Sequence, residues 1–364
     1  MIFICFEPTG LEIPYNNYFK KKLHFFISVI ISNPLKEKKY INIKVYKNHK
    51  LELNDKNFYN LSYFKFLLFI RKKIKKLVFN YSISNFFCIG FIINFLVLSI
   101  NPFKKKYIIY RSTDFFPILV GKKIHIKNFL SQCIDFFNFS FSNTLIFTTT
   151  RQLHARKYLK FIKKKKFIIP LSSYNLVNLN NLKKNSAKDF VYVGLVSKYH
   201  LLDHIVNVFK KIEFKDYNLH IIGDGPFLNE LREKTFNQNN VIIHGYLSDE
   251  KVIDLSIKCK YGLALYNTNK DFMYYTEPAK VKYYLSLGLH VLTTNEPEIS
   301  KDLLKLKLGS VLNPSENLTS FFLSLINKDV KLNLDFLKKY IKEYNFEVLH
   351  KNFELSTINI INEK

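Results

Sequence analysis

The stretch TEPAKVKYYLSLGLHVLTT, Thr276 to Thr294, decides the fold. Ala279 to Leu287 has the residues of a helix, Gly288 closes it, and His290 to Thr294 reads as a strand. A helix handing over so quickly to a strand belongs to a βαβ unit. The same alternation extends back from it. Phe190 to Val193 is a strand reaching Gly194, and Leu201 to Ile212 a helix. Leu219 to Ile222 is a strand closing on Gly223-Asp-Gly-Pro226, and Phe227 to Thr235 a helix. Val241 to Ile243 is a strand ending at His244-Gly245, Ser248 opens a helix, and Tyr261 to Tyr266 is a strand. Asp249 and Glu250 fall in the first turn of that helix, where carboxylates suit the dipole. Strands and helices alternating in this way predict a parallel, doubly wound α/β sheet. Leu334 to about Ile361 reads as a helical tail.

Upstream the pattern is less regular. Asn17 to Ile31 reads as a helix, Ile41 to Tyr46 as a strand, and Phe58 to Phe79 as a longer helix. Phe86 to Ile100 is the most apolar run; with Asn94 inside it, it falls short of the ~20 residues a spanning helix needs. It reads as a buried strand or helix. Lys106 to Tyr110 is a strand, Phe129 to Phe139 a helix, and Thr144 to Thr149 a strand. Gln152 to Ile162 reads as a basic helix, and Phe167 to Ile169 as a strand stopped by Pro170. At roughly 100–200 residues per domain, 364 residues suggest two domains. Leu171 to Asp189, rich in Asn, Ser and Lys, is the linker candidate. We therefore expect domains over 1–172 and 189–364, joined by 173–188.

Composition bounds the function. Apolar residues make up 48% and charged residues 23%, which rules out wholesale disorder. The net charge is +27, yet a high content of Lys, Asn, Ile, Phe and Tyr with four Ala is what A/T-rich codons produce unaided. The distribution is more informative. Residues 1–170 hold 31 Lys and Arg against 7 Asp and Glu, or +24; residues 171–364 hold 25 against 22, or +3. A positive field on one half attracts an anionic partner, nucleic acid or a phospholipid surface. No nucleic-acid-binding signature accompanies it, so no nucleic-acid partner is expected. Cys5, Cys88, Cys133 and Cys259 form no CxxC pair, which argues against a disulfide framework and a zinc site and for buried thiols in a reducing cytosol. Met1 to Phe6 has no basic n-region and reads as a first strand. The expectation is a cytoplasmic protein able to touch the inner face of the plasma membrane.

Val193-Gly194, His220-Ile-Ile-Gly-Asp-Gly-Pro226, His244-Gly-Tyr246 and the Thr276–Gly288 block resemble, in order and spacing, the nucleotide-sugar-binding half of family 4-like ("group 1") GT-B glycosyltransferases. The resemblance is good over about 190–300 and weaker from Ile108 to Pro170. It implies a GT-B fold, two Rossmann-like doubly wound domains facing a central cleft. It also implies transfer of a sugar from a nucleotide diphosphate sugar, with retention of configuration. The donor side would comprise Gly194, Lys198, His200, Gly223, Asp224, Gly225, Tyr246, Glu277, Pro278, Ala279, Lys280 and Tyr283. This sequence departs from the family pattern at several places. The ribose-binding Glu of the family falls on Tyr283, and its other Glu on Tyr275, with Glu277 nearby. The family's Arg after the glycine is Leu195, and its phosphate-binding Lys falls near His200, with Lys198 as a substitute. A GT-B-like scaffold without catalysis is therefore the alternative reading.

The residues themselves add mechanism. A helix N-terminus such as that at Ala279 offers free N–H groups and partial positive charge to a diphosphate. The leaving nucleoside diphosphate carries about two negative charges, which fixed cations and helix dipoles can stabilise. No Asp-x-Asp metal motif occurs, so neither a metal nor a cofactor is expected. Asp114, following the strand Tyr107–Tyr110, is the first catalytic candidate and His125, a tunable base, the second; a loop-capping Asp and a solvated His are the plain alternatives. Gly10, after the first strand, would let a loop approach the acceptor. Lys65, Arg71, Lys72 and Lys75, interleaved with aromatics on the Phe58–Phe79 helix, suit an interfacial membrane helix or, equally, a solvated face of a packed one. The expected acceptor is a glycan, lipid-linked, in surface polysaccharide synthesis.

Overall fold

The computed structural model describes residues 2–7, 12–32, 39–100, 105–120, 123–173, 188–267, 272–328, 330 and 332–351. The expected linker falls largely outside these, over 174–187, as does Gly10. Two units form: Met1–Pro170 together with the residues from His350 onward, and Leu171–Leu349. Sequence reading carries the second domain to the C-terminus; here His350 belongs to the first unit, because its ring meets the Tyr15 hydroxyl at 2.7 Å and stands edge-on to that ring.

The first unit runs β1 (Ile2–Glu7), α1 (Glu12–Lys22), β2 (Phe25–Ser32), β3 (Lys39–Lys47), β4 (Lys50–Tyr59), α2 (Tyr63–Asn80), β5 (Asn85–Ile89), α3 (Phe91–Leu98) and β6 (Tyr107–Ser112). A two-residue pair, β7 (Leu119–Val120) and β8 (Lys123–Ile124), precedes α4 (Ile126–Phe141), β9 (Thr144–Phe147), α5 (Thr150–Ala155) and β10 (Lys165–Ile168). The eight-stranded sheet has the order β10-β9-β6-β5-β1-β2-β3-β4. It is parallel except for β3 and β4, which add an antiparallel edge. The helix read over Asn17–Ile31 is thus two elements. Phe25–Ser32 pairs in register with β1 on one side and β3 on the other, and strand pairing on both sides wins over any helical pattern. The apolar run at Phe86 is also two elements, β5 and α3. Among the described cysteines Cys88 and Cys259 are buried, but Cys133 is exposed on the outer side of α4.

The second unit follows the expected alternation: β11 (Phe190–Val193), α6 (Leu202–Phe209), β12 (Leu219–Ile222), α7 (Leu228–Lys234), β13 (Val241–Gly245), α8 (Asp249–Ser256), β14 (Tyr261–Ala264), α9 (Ala279–Ser286) and β15 (His290–Thr294). Then come α10 (Ser300–Lys305), β16 (Gly309–Leu312), α11 (Leu318–Asn327) and α12 (Leu334–Glu343), and residues 346–351 are again helical. All six strands are parallel, in the order β13-β12-β11-β14-β15-β16. Alternate residues feed two cores, Phe190 and Tyr192 one face, Val191 the other. A parallel sheet covered on both faces is the consequence. Among the described residues no helix is long and apolar enough to cross a membrane.

Candidate functional site

The second sheet reverses its winding between β11 and β14. In doubly wound sheets ligands bind at such a reversal, beyond the carboxyl ends of the strands. Here β11 and β14 pair only at Phe190 with Tyr261 and Val191 with Gly262. Past that point Tyr284 of α9 enters. Its hydroxyl accepts the Val193 N–H at 2.8 Å and donates to the Leu263 carbonyl at 3.2 Å. Burial raises its pKa well above the ordinary phenol, so it stays protonated and can donate. The ring lies flat enough on β14 that a Cβ on Gly262 would come within 2.4 Å of it.

Three loops stack at this end of the sheet. The Gly194 N–H donates to the Ile222 carbonyl at 2.9 Å, the Val196 N–H to Asp224 at 2.9 Å, and the Gly223 N–H to Gly245 at 2.8 Å. Gly223 has φ +139°, and a Cβ there would collide with the Gly194 carbonyl oxygen. A Cβ on Gly225 would likewise meet the Val196 carbonyl. The Gly-Asp-Gly turn is therefore a strut under the Gly194 loop. Asp224 is exposed, and its carboxylate accepts the Gly225 N–H at 2.7 Å.

Lys280, in the first turn of α9, points into this assembly. Its Nζ donates to the Tyr192 hydroxyl at 2.9 Å and lies 3.1 Å from His200 Nε2. It also sits 4.4 Å from the Tyr192 ring centre. Gly194 sits at φ +132°, where glycine is favoured, and a Cβ there would stand 2.7 Å from Lys280 Cε. Withdrawal from water lowers the Lys280 pKa to about 7. Burial, and then the Lys280 charge, lower His200 to about 3, so that imidazole is neutral at working pH. No carboxylate meets Lys280 in any ion pair of the described residues. Pro278 is buried at the N-cap and Ala279 is exposed at the head of the helix, leaving first-turn N–H groups directed past it. Ser197 Oγ, in the loop after β11, is buried and has no hydrogen-bond partner among the described residues.

Other candidates lie elsewhere. Lys198 is exposed, pairs with Glu230 at 2.8 Å, and does not join Lys280, whereas His200 does. Tyr246 is exposed on the loop after β13. Glu277 is buried and occupied: one oxygen is 3.4 Å from Lys282 Nζ and the other accepts the Leu171 N–H at 2.6 Å. Tyr283 is partly buried and edge-on to Tyr284.

In the first unit Asp114 touches solvent just past β6. The protein packed around its carboxyl raises the pKa, opposed by the Thr113 hydroxyl at 2.9 Å and by Arg156. Arg156 is buried and bonded to Asp135 at 2.6 Å, the Ser112 hydroxyl at 2.9 Å and the Asp114 carbonyl at 2.8 Å. It thus fixes the backbone that carries Asp114. His125 is exposed at the N-cap of α4. On α2, Lys65, Lys72 and Lys75 are exposed, but Arg71 is not on that face: it donates to Ser99 Oγ at 2.9 Å and the Ser99 carbonyl at 2.7 Å.

Sequence reasoning passed over Tyr192, Tyr284, Gly262 and Arg156. A glycine inside the strand Tyr261-Gly-Leu-Ala264 was the available signal for close approach by a ring.

Residues 179–263 match the model of the family described as Glycosyl transferases group 1. The sequence has no match among curated proteins. Of solved structures, sucrose-phosphate synthase from Thermosynechococcus elongatus aligns over 100% of both chains at 10% identity and TM-score 0.71. The apo lipopolysaccharide outer core galactosyltransferase WaaB aligns over 99% of both chains at 15% identity and TM-score 0.63. Anabaena HepE, in complex with UDP, aligns over 98% of this chain and 99% of its own at 10% identity and TM-score 0.64. At such identities the likeness establishes the fold, and the fold is GT-B.

Proposed function

We propose that this GT-B chain is a glycosyltransferase that moves a sugar from a nucleotide diphosphate donor to a hydroxyl of a glycan, lipid-linked and destined for a surface polysaccharide. The observation that carries the reading is Lys280. It is a lysine at the switch point of the second sheet, drawn out of water and, among the described residues, paired with no carboxylate. A diphosphate supplies the missing anion. In this reading its oxygens lie against Lys280 Nζ, the first-turn N–H groups of α9 and the Gly194 loop. As the glycosidic bond breaks, charge builds on the β-phosphate, and the same groups stabilise it with no metal. UDP in HepE and galactosyl transfer by WaaB support a uridine nucleotide as the first to test. Asp114, with its raised pKa, is the proposed acceptor-side acid or base, held by Arg156; His125 is the second choice. The chain would work in the cytoplasm at the inner face of the plasma membrane.

Calorimetric titration with UDP-, GDP- and CMP-sugars tests this. One donor binds, and Lys280→Met weakens it about 100-fold, roughly 2.7 kcal/mol. A folded chain that binds none would support the scaffold without catalysis; unchanged affinity in Lys280→Met would remove the lysine from the site.

A further inference from the structure

We infer that the outer face of α4 is a docking surface for an anionic lipid bilayer. The reading of a lipid-linked acceptor gives the docking its purpose, but the physical case stands on α4 itself. This helix is largely inverted. Around one core residue, the buried Phe139, its inward side carries polar groups held by hydrogen bonds: Asn128 donates to the Pro117 carbonyl at 2.8 Å, Gln132 to Phe116 at 2.8 Å, and Asn138 to Phe91 at 2.8 Å. Asp135, also inward, holds Arg156 and accepts the Tyr110 hydroxyl at 2.6 Å. Its outward arc carries Ile126, Phe129, Leu130, Phe136, Phe137 and Phe141, all exposed. An amphipathic helix of a water-soluble domain does the reverse. Phe161, 76% exposed on the short helical turn after α5, continues the patch, since Tyr158 of that turn packs edge-on to Phe136. Contiguous exposed apolar surface of this kind marks an interaction site.

Charge selects the occupant. Residues 124–168 contain nine Lys and Arg and a single acid, Asp135, which is buried and paired. Lys127 rises from α4, and Lys157, Lys160 and Lys163 are exposed on the turn beside it. Lys164 Nζ bonds the carbonyls of Ser140 and Ser142 at the end of α4, so the lysine run is anchored there. A second copy of the chain would bring the same cations face to face. An anionic bilayer offers what this face lacks: hydrocarbon for the rings and phosphate for the rim. The helix expected from sequence to dock, α2, fits less well. Its outward side mixes Phe64, Leu68 and Phe79 with Lys65, Lys72 and Lys75, and Arg71 is spent on Ser99. Both α2 and α4 pack against α3.

The test is flotation of the full chain with vesicles of phosphatidylcholine alone and of an equal mixture with phosphatidylglycerol. Binding to the mixed vesicles, weakened by salt, is expected. Phe129→Ser with Phe137→Ser should weaken partition about tenfold or more, and Ile126→Ser with Phe141→Ser should repeat the loss. Lys72→Ser with Lys75→Ser should cost less. All these positions are exposed, so thermal unfolding and nucleotide binding should not move. Equal flotation of the Phe variant and the wild type overturns the proposal, as does a wild type that ignores both vesicles. So does a solution dimer that the Phe variant breaks, which would make the occupant a second copy. Donor titration on the same samples separates these failures from failure of the transferase reading.

Discussion

Lys280 and Lys282 stand two residues apart on α9 and meet opposite fates. Lys282 is fully buried, 3.4 Å from Glu277, hydrogen-bonded to Tyr340 and 3.3 Å from the Tyr344 ring centre. Burial lowers its pKa to about 8 while Glu277 pulls it back up. Lys280 has a hydroxyl and a neutral imidazole, with no carboxylate paired to it among the described residues, and falls to about 7. Arg156 in the first unit follows the Lys282 pattern, with Asp135 as its partner. A buried cation that brings its own anion holds two elements together. In the transferase reading proposed above, one that lacks it keeps a place for the anion of a ligand.

The largest effect should come from breaking the paired site. Lys282→Met leaves the Glu277 carboxylate buried beside an apolar chain, and urea unfolding should show a loss of about 3–5 kcal/mol. A neutral result would mean that the pair is not what holds the head of α9 in place. The same change at Lys280 should do the opposite to the empty protein, raising its stability by about 1 kcal/mol, because it removes a desolvated charge that meets no carboxylate among the described residues. Equal destabilisation by both substitutions would erase the contrast. Gly194→Ala sharpens it further. The methyl pushes on Lys280 Cε, at a φ of +132° that favours glycine, so diphosphate affinity should fall about tenfold in calorimetry. Full affinity would show that Lys280 can do its work from elsewhere.

The smallest effect is in pH. Between about 7 and 10.5 the unfolded chain holds the Lys280 proton more often than the folded one does. The contribution of this group to stability therefore rises with pH across that window. A bound diphosphate restores the ammonium, so binding near pH 8 takes up a proton and affinity declines as pH rises. Titration in buffers of different ionisation enthalpy should show the uptake in the wild type and not in Lys280→Met.

The second unit was legible because its signals are local. Short apolar runs end in Gly194, Gly223 and Gly245, and the helices of its first four βα steps fall where the sequence places them; Ser300–Lys305, Gly309–Leu312 and Leu318–Asn327 were not read. The first unit hid two elements. Phe25–Ser32 is apolar throughout, and such a run has no period to tell strand from helix. Lys50–Tyr59 is polar and almost wholly exposed, so β4 exists through its ladder with β3 and left no apolar pattern to read. Sequence likewise singled out the aromatic, basic α2 and passed over α4, because an apolar stripe reads the same whether it faces a core or water.

By itself the sequence determined the alternation of the second half, its glycine turns, the acidic-Pro-x-Lys block and the concentration of +24 in residues 1–170. These are properties of neighbours along the chain. Tertiary structure alone decided that Lys282 meets a carboxylate while Lys280 meets none among the described residues, that Tyr284 bridges β11 and β14, and that α4 wears its apolar face outward. Each depends on which distant residues arrive opposite a side chain. Pairing and burial, unlike propensity, are not local quantities.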